Sequence, residues 1–352
     1  MKKEALILAL ESSCDETAVA ILNFKNDSFN ILANLVSSQV QVHAKYGGVV
    51  PEVAARLHIE KIIPLIQTAL KQAGKKLKDV DCLAVTAGPG LMSSLMIGTE
   101  TAKALALSLN KPLIRINHIE GHLLSASEKL KFPAVGLVVS GGHTQIILVN
   151  DYLKYKLIGE TRDDAAGEAF DKVAKILGLG YPGGPAIGAA AEKAISMKKL
   201  SGITIQLPRP MLDKQGFEMS FSGLKTSVLY KWNELKKRLK PTELDNAKCL
   251  MAAEFQRAVV DVLIGKTILA AKKYDAQTII LGGGVSANKL LRAEVVDMAD
   301  KKLPGVKVII PEIKMTGDNA SMIAQAAYFH LLKKDFIDPL KLKPDPNWQL
   351  VS

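Results

Sequence analysis

The sequence predicts a duplicated α/β fold, and three observations carry that expectation. An apolar segment broken in the middle by small or polar residues occurs once in each half of the chain. Helical stretches alternate with strand-like runs, and three glycine-rich turns follow apolar strands. The first broken segment is ALILALESSCDETAVAIL, residues 5–22, and the second is AVGLVVSGGHTQIILV, residues 134–149. In both, a short turn separates runs rich in Val, Ile and Leu, as in a buried β-hairpin. Two similar lobes with a cleft between them follow from this repeat, and active sites commonly occupy such clefts.

The elements then fall in order. Residues 52–74 and 244–273 place apolar side chains at helical spacing. Thr278 to Leu281 read as a strand ending in three glycines, and VKVIIP, residues 306–311, as a strand ahead of a helical run from Ala320. No long polar linker interrupts the chain, so the repeat alone sets the boundary. The expected division is a first lobe of residues 1–131, a second of 132–330, and a C-terminal extension of 331–352 that continues the last helix without a defined structure of its own.

Composition bounds the function. The 352 residues, 48% of them hydrophobic, can bury a full core. A formal charge of +11 permits a polyanionic partner, while the clusters Lys71–Lys78, Lys231–Lys240 and Lys333–Lys343 are equally read as solvated surface. Three widely spaced cysteines, Cys14, Cys82 and Cys249, disfavour a disulfide framework and fit a reducing cytosol. Lys2 and Lys3 ahead of an apolar run resemble a signal peptide, but Glu11 ends that run after Leu10, so it reads as a strand. No apolar stretch reaches the roughly 18 residues of a membrane span.

Asn117-His118-Ile119-Glu120-Gly121-His122 sets two imidazoles four residues apart, on one face of a helix, where they can share a metal. A pair of partly buried histidines is the alternative. A zinc protease would need Glu directly after the first His, whereas Glu120 comes two residues later. Two imidazoles call for a carboxylate from elsewhere, and Asp318, just ahead of the helical run, is the candidate; an N-cap is its other reading. The turns at Ser140-Gly141-Gly142-His143, Gly183-Gly184 and Gly282-Gly283-Gly284 suit close backbone approach to a phosphate or sugar, yet none matches GxxxxGK[ST] or GxGxxG. Asp15 and Glu16, in the first hairpin turn, can position water, a metal or an amine, or simply be solvated. Cys14 beside them reads as a packing residue.

Taken together, ten ordered motifs resemble the TsaD family, the tRNA N6-adenosine threonylcarbamoyltransferases. They are ESSCDET (Glu11 to Thr17), GGVVPE (Gly47 to Glu52), GPGL (Gly88 to Leu91), NHIEGH, VSGGHT (Val139 to Thr144), DDAAGEAFDK (Asp163 to Lys172), YPGGP (Tyr181 to Pro185), FSGLKT (Phe221 to Thr226), GGGVSAN (Gly282 to Asn288) and TGDNA (Thr316 to Ala320). LPRPM, Leu207 to Met211, is closer to bacterial members. The resemblance implies the duplicated two-lobe actin-like fold shared with sugar kinases and heat-shock chaperones (ASKHA). It also implies one metal, iron or zinc, held by His118, His122 and Asp318, and a substrate pocket lined by Val138, Val139, Ser140, Gly141, Gly142, Asp171, Gly184 and Asn288. Gly188 stands where many relatives have an Asp that contacts the nucleotide's sugar.

The implied reaction passes the acyl group of threonylcarbamoyl-AMP to the exocyclic amine of the adenosine 3′ of the anticodon in tRNAs reading codons that begin with A. TsaB-like and TsaE-like proteins are the implied partners. Asp15, Glu16 and His143 are the candidate acid–base groups. A kinase or ATPase on the same fold, and a non-catalytic scaffold of the modification complex, are the rival functions.

Overall fold

The computed structural model describes residues 4–26, 28–125, 130–196 and 204–350. Lys2 and Lys3 lie outside the described residues. The chain divides into two units, the first built from residues 1–128, 152–154 and 311–352, the second from 129–151 and 155–310.

Unit 1 begins with strands β1 (Glu4–Glu11), β2 (Glu16–Lys25) and β3 (Ser28–Ser38) and the short helix α1 (Val40–His43). Helix α2 (Pro51–Ala73), strand β4 (Cys82–Gly88), helix α3 (Met92–Leu109), strand β5 (Leu113–Asn117) and helix α4 (His118–Leu124) follow. The sheet order is β3-β2-β1-β4-β5, with β1 antiparallel to β2 and parallel to β4. As the middle strand, β1 is covered on both faces, which is why its sequence is continuously apolar rather than alternating. Helix α2 starts with Pro51 at its first position and ends on Gly74 at φ 61°, the left-handed conformation that terminates a helix at low steric cost. Its buried stripe is Ala54, His58, Ile62, Ile66 and Ala69.

Unit 2 repeats the plan. Strands β6 (Ala134–Val139), β7 (Thr144–Asp151) and β8 (Lys154–Glu160) precede helices α5 (Ala166–Ile176), α6 (Gly183–Ser196), α7 (Ser222–Arg238) and α8 (Pro241–Lys273). Strand β9 (Thr278–Gly282), helix α9 (Lys289–Lys302) and strand β10 (Lys307–Ile309) complete it. Its order, β10-β9-β6-β7-β8, is the order of the first sheet read from the other edge, with a hairpin (β6-β7) followed by parallel neighbours. Both expected hairpins are present. The 33-residue α8 buries side chains around its whole circumference, from Ala247 through Phe255 to Ala271, and forms the centre of the unit's core.

The C-terminal part differs from expectation. Helix α10 (Ala320–Lys333) belongs to unit 1, and so does the segment after it, which folds back onto the first sheet instead of trailing from the helix. Ile337 N–H donates to Leu113 O (2.9 Å), Leu342 is fully buried, and Asp345 N–H donates to Ala87 O (2.7 Å). Main-chain pairing and one buried leucine define a segment whose Lys, Asp and Pro content by itself predicts only an unspecified extension of the last helix.

Candidate functional site

Strand β5 ends at Asn117, and α4 starts at His118 because the Asn117 side chain caps it, Oδ1 accepting from Ile119 N–H (2.9 Å). One helical turn separates His118 from His122, so both rings stand on one face, centroids 4.6 Å apart. Gly121 sits between them on the face toward α10. A Cβ there would lie 2.8 Å from Ile323 Cδ1 and 3.2 Å from Met322 Cγ, so a side chain would make those two side chains shift, and glycine allows the close approach without it. That approach brings Asp318 to the histidines. Asn319, not Asp318, caps α10, its Oδ1 accepting from Met322 N–H, which leaves the Asp318 carboxylate for the imidazoles.

Asp318 Oδ1 lies 3.5 Å from His118 Nε2 and 3.2 Å from His122 Nε2, and the three ligand atoms fall within 4.8 Å of one another. Ligand bonds of about 2.1 Å around a tetrahedral ion would set neighbouring ligand atoms about 3.4 Å apart. Both nitrogens of His122 are buried without a well-aligned hydrogen bond, and Nε2 lies 3.2 Å from Asp318 Oδ1, a place where a cation would satisfy both. These residues therefore fit a divalent transition metal, with coordination positions left over for a ligand.

Around the triad stands a group that sequence reasoning missed. Glu11 ends β1 fully buried; it accepts hydrogen bonds from Ser13 N–H (2.6 Å) and Thr86 Oγ1 (2.6 Å) and lies 3.2 Å from His118 Nδ1. Ser13 Oγ is 3.1 Å from the same nitrogen. With Nδ1 held this way, Nε2 is the atom turned to Asp318, the arrangement in which a carboxylate orients a metal-binding imidazole. A carboxylate at the end of an otherwise apolar buried strand was the available signal. Burial by itself would raise Glu11 and lower His118. The opposite charges outweigh it, so Glu11 is held below the ordinary carboxylate range and His118, beside Asp318 and Glu11, is raised to about 9. Burial and the charge of His118 push His122 down.

Asp15 closes the β1-β2 turn and Glu16 opens β2, one step beyond the turn in which the sequence placed it. Burial, reinforced by Asp318 and by a hydrogen bond shared with Asp15, raises Glu16 to about 9, while Ser38 Oγ donates to it at 3.0 Å. His58 supports the turn from α2, with Nδ1 2.8 Å from Thr17 Oγ1 and Nε2 3.0 Å from Cys14 O. The Cys14 thiol is pushed up by burial and neighbouring carboxylates, as suits a packing residue. Glu120 is buried and faces His330 Nε2 at 3.1 Å, away from the histidine pair, which removes the protease reading.

The glycine-rich turns belong to unit 2 and surround a cavity of about 890 Å³. Gly141, Asp171, Gly184 and Asn288, all carried over from the resemblance, line it, as does Gly188, the position where many relatives have an Asp, together with Gln256, Arg257 and Lys289, which were not foreseen. At Gly141 and Gly184 a side chain would meet nothing within 4 Å, so the main chain there is open to a ligand. Asp171 accepts from Gly183 N–H (2.6 Å) at the start of α6. Asn288 caps α9 through Leu291 N–H and donates to Gln256 Oε1 (2.8 Å). Val138 and Val139 are fully buried in β6, and Ser140 and His143 close their turn on each other, Ser140 N–H to His143 O at 2.8 Å and His143 N–H to Ser140 Oγ at 3.1 Å. Val138, Val139, Ser140 and Gly142 are thus not among the cavity-lining residues. His143 falls in unit 2, whereas Asp15 and Glu16 fall in unit 1 with the histidines.

No helix among the described residues is long and apolar enough to cross a membrane. Solved structures share the fold. HypF from T. kodakarensis superposes with TM-score 0.63 at 14% identity over 97% of this chain and 50% of that one. Component A of the Acidaminococcus fermentans (R)-2-hydroxyglutaryl-CoA dehydratase gives 0.52 at 16% over 94% and 99%. The duplicated actin-like α/β fold is therefore the observed one. Among curated relatives, the tRNA N6-adenosine threonylcarbamoyltransferase of Syntrophomonas wolfei is 47% identical over 98% of both chains, and that of Clostridium perfringens 46% over 98% of both. The sequence model of TsaD, tRNA N6-adenosine threonylcarbamoyltransferase, matches residues 30–325, and with relatives this similar along nearly the whole chain, the chain belongs to the TsaD family.

Proposed function

We propose that this chain transfers the threonylcarbamoyl group of threonylcarbamoyl-AMP to the N6 amine of the adenosine 3′ of the anticodon in tRNAs reading codons that begin with A. The observation that carries the site assignment is the buried triad His118, His122 and Asp318, backed by Glu11 on the outer nitrogen of His118. A kinase or ATPase of this fold has no use for such a centre. A scaffold would have no need to keep the ligands.

His118, His122 and Asp318 hold one divalent metal, iron by preference and zinc as the alternative. When bound, it supplies Lewis acidity toward a carbonyl or phosphate oxygen. Glu11 and Ser13 orient His118, so the centre is preorganised rather than assembled on binding. The adenylate occupies the unit 2 cavity, its phosphate against main-chain N–H groups near Gly141 and Gly184 and its nucleoside near Asp171 and Asn288. The N6–carbon bond forms, the carbon–oxygen bond to phosphate breaks, and AMP departs. Asp15 accepts the amine proton while Glu16, raised to about 9, shares a hydrogen bond with it. His143 is the alternative acceptor. Proximity contributes most of the remaining acceleration, because an aromatic amine is a weak nucleophile. The working location is the cytosol, and TsaB-like and TsaE-like proteins are the partners.

The test is mass-spectrometric nucleoside analysis of unmodified tRNA incubated with the protein, the two partner proteins and threonylcarbamoyl-AMP. Threonylcarbamoyladenosine is expected with the wild type and not with His118→Ala. Equal product from both would overturn the metal-site assignment. No product, under conditions where another family member succeeds, would favour the scaffold or ATPase reading.

A further inference from the structure

The segment after α10 reaches the metal-bearing helix. Asp345 to Trp348 form a closed turn, with Trp348 N–H donating to Asp345 O (3.2 Å) and Asn347 N–H to Asp345 Oδ1 (2.9 Å). The turn lies on the end of β4, where Asp345 N–H donates to Ala87 O and Gly90 N–H to Pro346 O (3.2 Å). A Cβ on Gly88, which has φ 154°, would sit 1.9 Å from Asp345 O, so the contact leaves no room for any side chain there. The Arg115 guanidinium stands 5.0 Å above the Trp348 ring. Finally, Asn117 Nδ2 donates to Trp348 O (3.0 Å), while Oδ1 of the same buried side chain caps α4, whose first residue is His118.

One amide therefore bridges the C-terminal turn and the helix that carries two of the three metal ligands. We propose that Asp345–Trp348 is a positioning element for the metal centre, acting through Asn117 to fix the N-terminal end of α4. The physical reason is geometric. Asn117 Oδ1 can cap the helix in one orientation only while its Nδ2 is held, and with the Trp348 carbonyl gone the amide can rotate away from the cap. His118 is the adjacent residue, so a loosened cap disorders the ligand that Glu11 and Ser13 otherwise hold. Partners of this kind, one step removed from a ligand, commonly change metal affinity by about 10–100-fold.

The inference rests on the metal-site reading above, and its test reads binding rather than turnover. Zn²⁺ affinity is measured by competition with a chromophoric chelator for wild type, Asn117→Ala, a chain stopped after Asp345, and the combination. Each single change is expected to weaken Zn²⁺ binding about 10-fold or more, and the combination no further than Asn117→Ala alone, because both remove the same link. AMP binding in unit 2 and the far-UV circular dichroism are expected to stay as in wild type. If the two losses multiply, or if the shortened chain binds Zn²⁺ as tightly as wild type, the segment does not act through Asn117. Should the shortened chain fail to fold, Arg115→Ala gives the same reading with the segment intact: about severalfold weaker Zn²⁺ binding by the same link, abolished in the Asn117→Ala background. Absence of Zn²⁺ binding in wild type itself would remove the metal-site reading, and this one with it.

Discussion

The two units use one sheet plan and fill the same place in it with opposite chemistry. After the first strand of unit 1 comes Ser12 to Asp15, flanked by the carboxylates of Glu11 and Glu16; after the first strand of unit 2 comes Ser140 to His143, with two glycines. The first turn concentrates ionisable groups around His118 and out of water. The second offers unobstructed main chain next to a cavity. The difference teaches that the repeat specifies where a turn projects, while the few residues in it decide whether it presents carboxylates or bare main-chain N–H groups.

That contrast can be broken in unit 1 first. Asp318→Ala is expected to lower metal affinity by well over about 100-fold, since even partners of ligands are worth 10–100-fold, and to abolish transfer. Metal analysis of the purified variant beside the nucleoside assay checks it, and full metal content would refute the ligand assignment. Glu11→Gln is expected to cost about 10–100-fold in metal affinity with the fold retained; unchanged chelator competition would show that Glu11 is only a core group. Turning to unit 2, Gly184→Val puts a branched side chain into open space and is expected to weaken AMP binding by about 10-fold, or 1.4 kcal/mol, with Zn²⁺ affinity unaltered. Calorimetry with each ligand separately sharpens the division, and a parallel fall in both affinities would contradict it.

The smallest effect is in the pH dependence of stability. His118 is raised from 6.5 to about 9 in the folded, metal-free chain, so the folded state holds its proton more tightly than the unfolded one. The resulting stabilisation is complete below about pH 6.5 and disappears as pH rises through about 9. With chelator present, the melting temperature is expected to fall by a few degrees over that window, and less so in His118→Ala.

Much of this was legible in the sequence. The hairpins were marked by broken apolar runs, α2 by the helical spacing of residues 52–74, and the paired imidazoles by the four-residue spacing of His118 and His122. Asp318 was legible only as one of two roles, because a carboxylate ahead of a helix reads equally as a cap until Asn319 is seen to take the cap. Glu11 was visible as a charge at a strand end, but its link to His118 spans 107 residues and is made by the fold alone. The return of the segment after α10 left almost no trace, since Ile337, Asp345 and Pro346 are tied to the first sheet through main-chain groups, which every residue type supplies.

The buried pair of Glu11 and His118 also determines what enters and leaves when the centre is loaded. On the metal-site reading, the charges of Asp318 and Glu11 favour a second proton on the metal-free imidazole, and an imidazole that takes a cation through Nε2 while Nδ1 is held by Glu11 has to give that proton up. Uptake of a cation is therefore an exchange that expels about one hydrogen ion per site. The heat of loading will then vary with the ionisation enthalpy of the buffer, and a weakly buffered solution of the protein will turn acidic as metal is added.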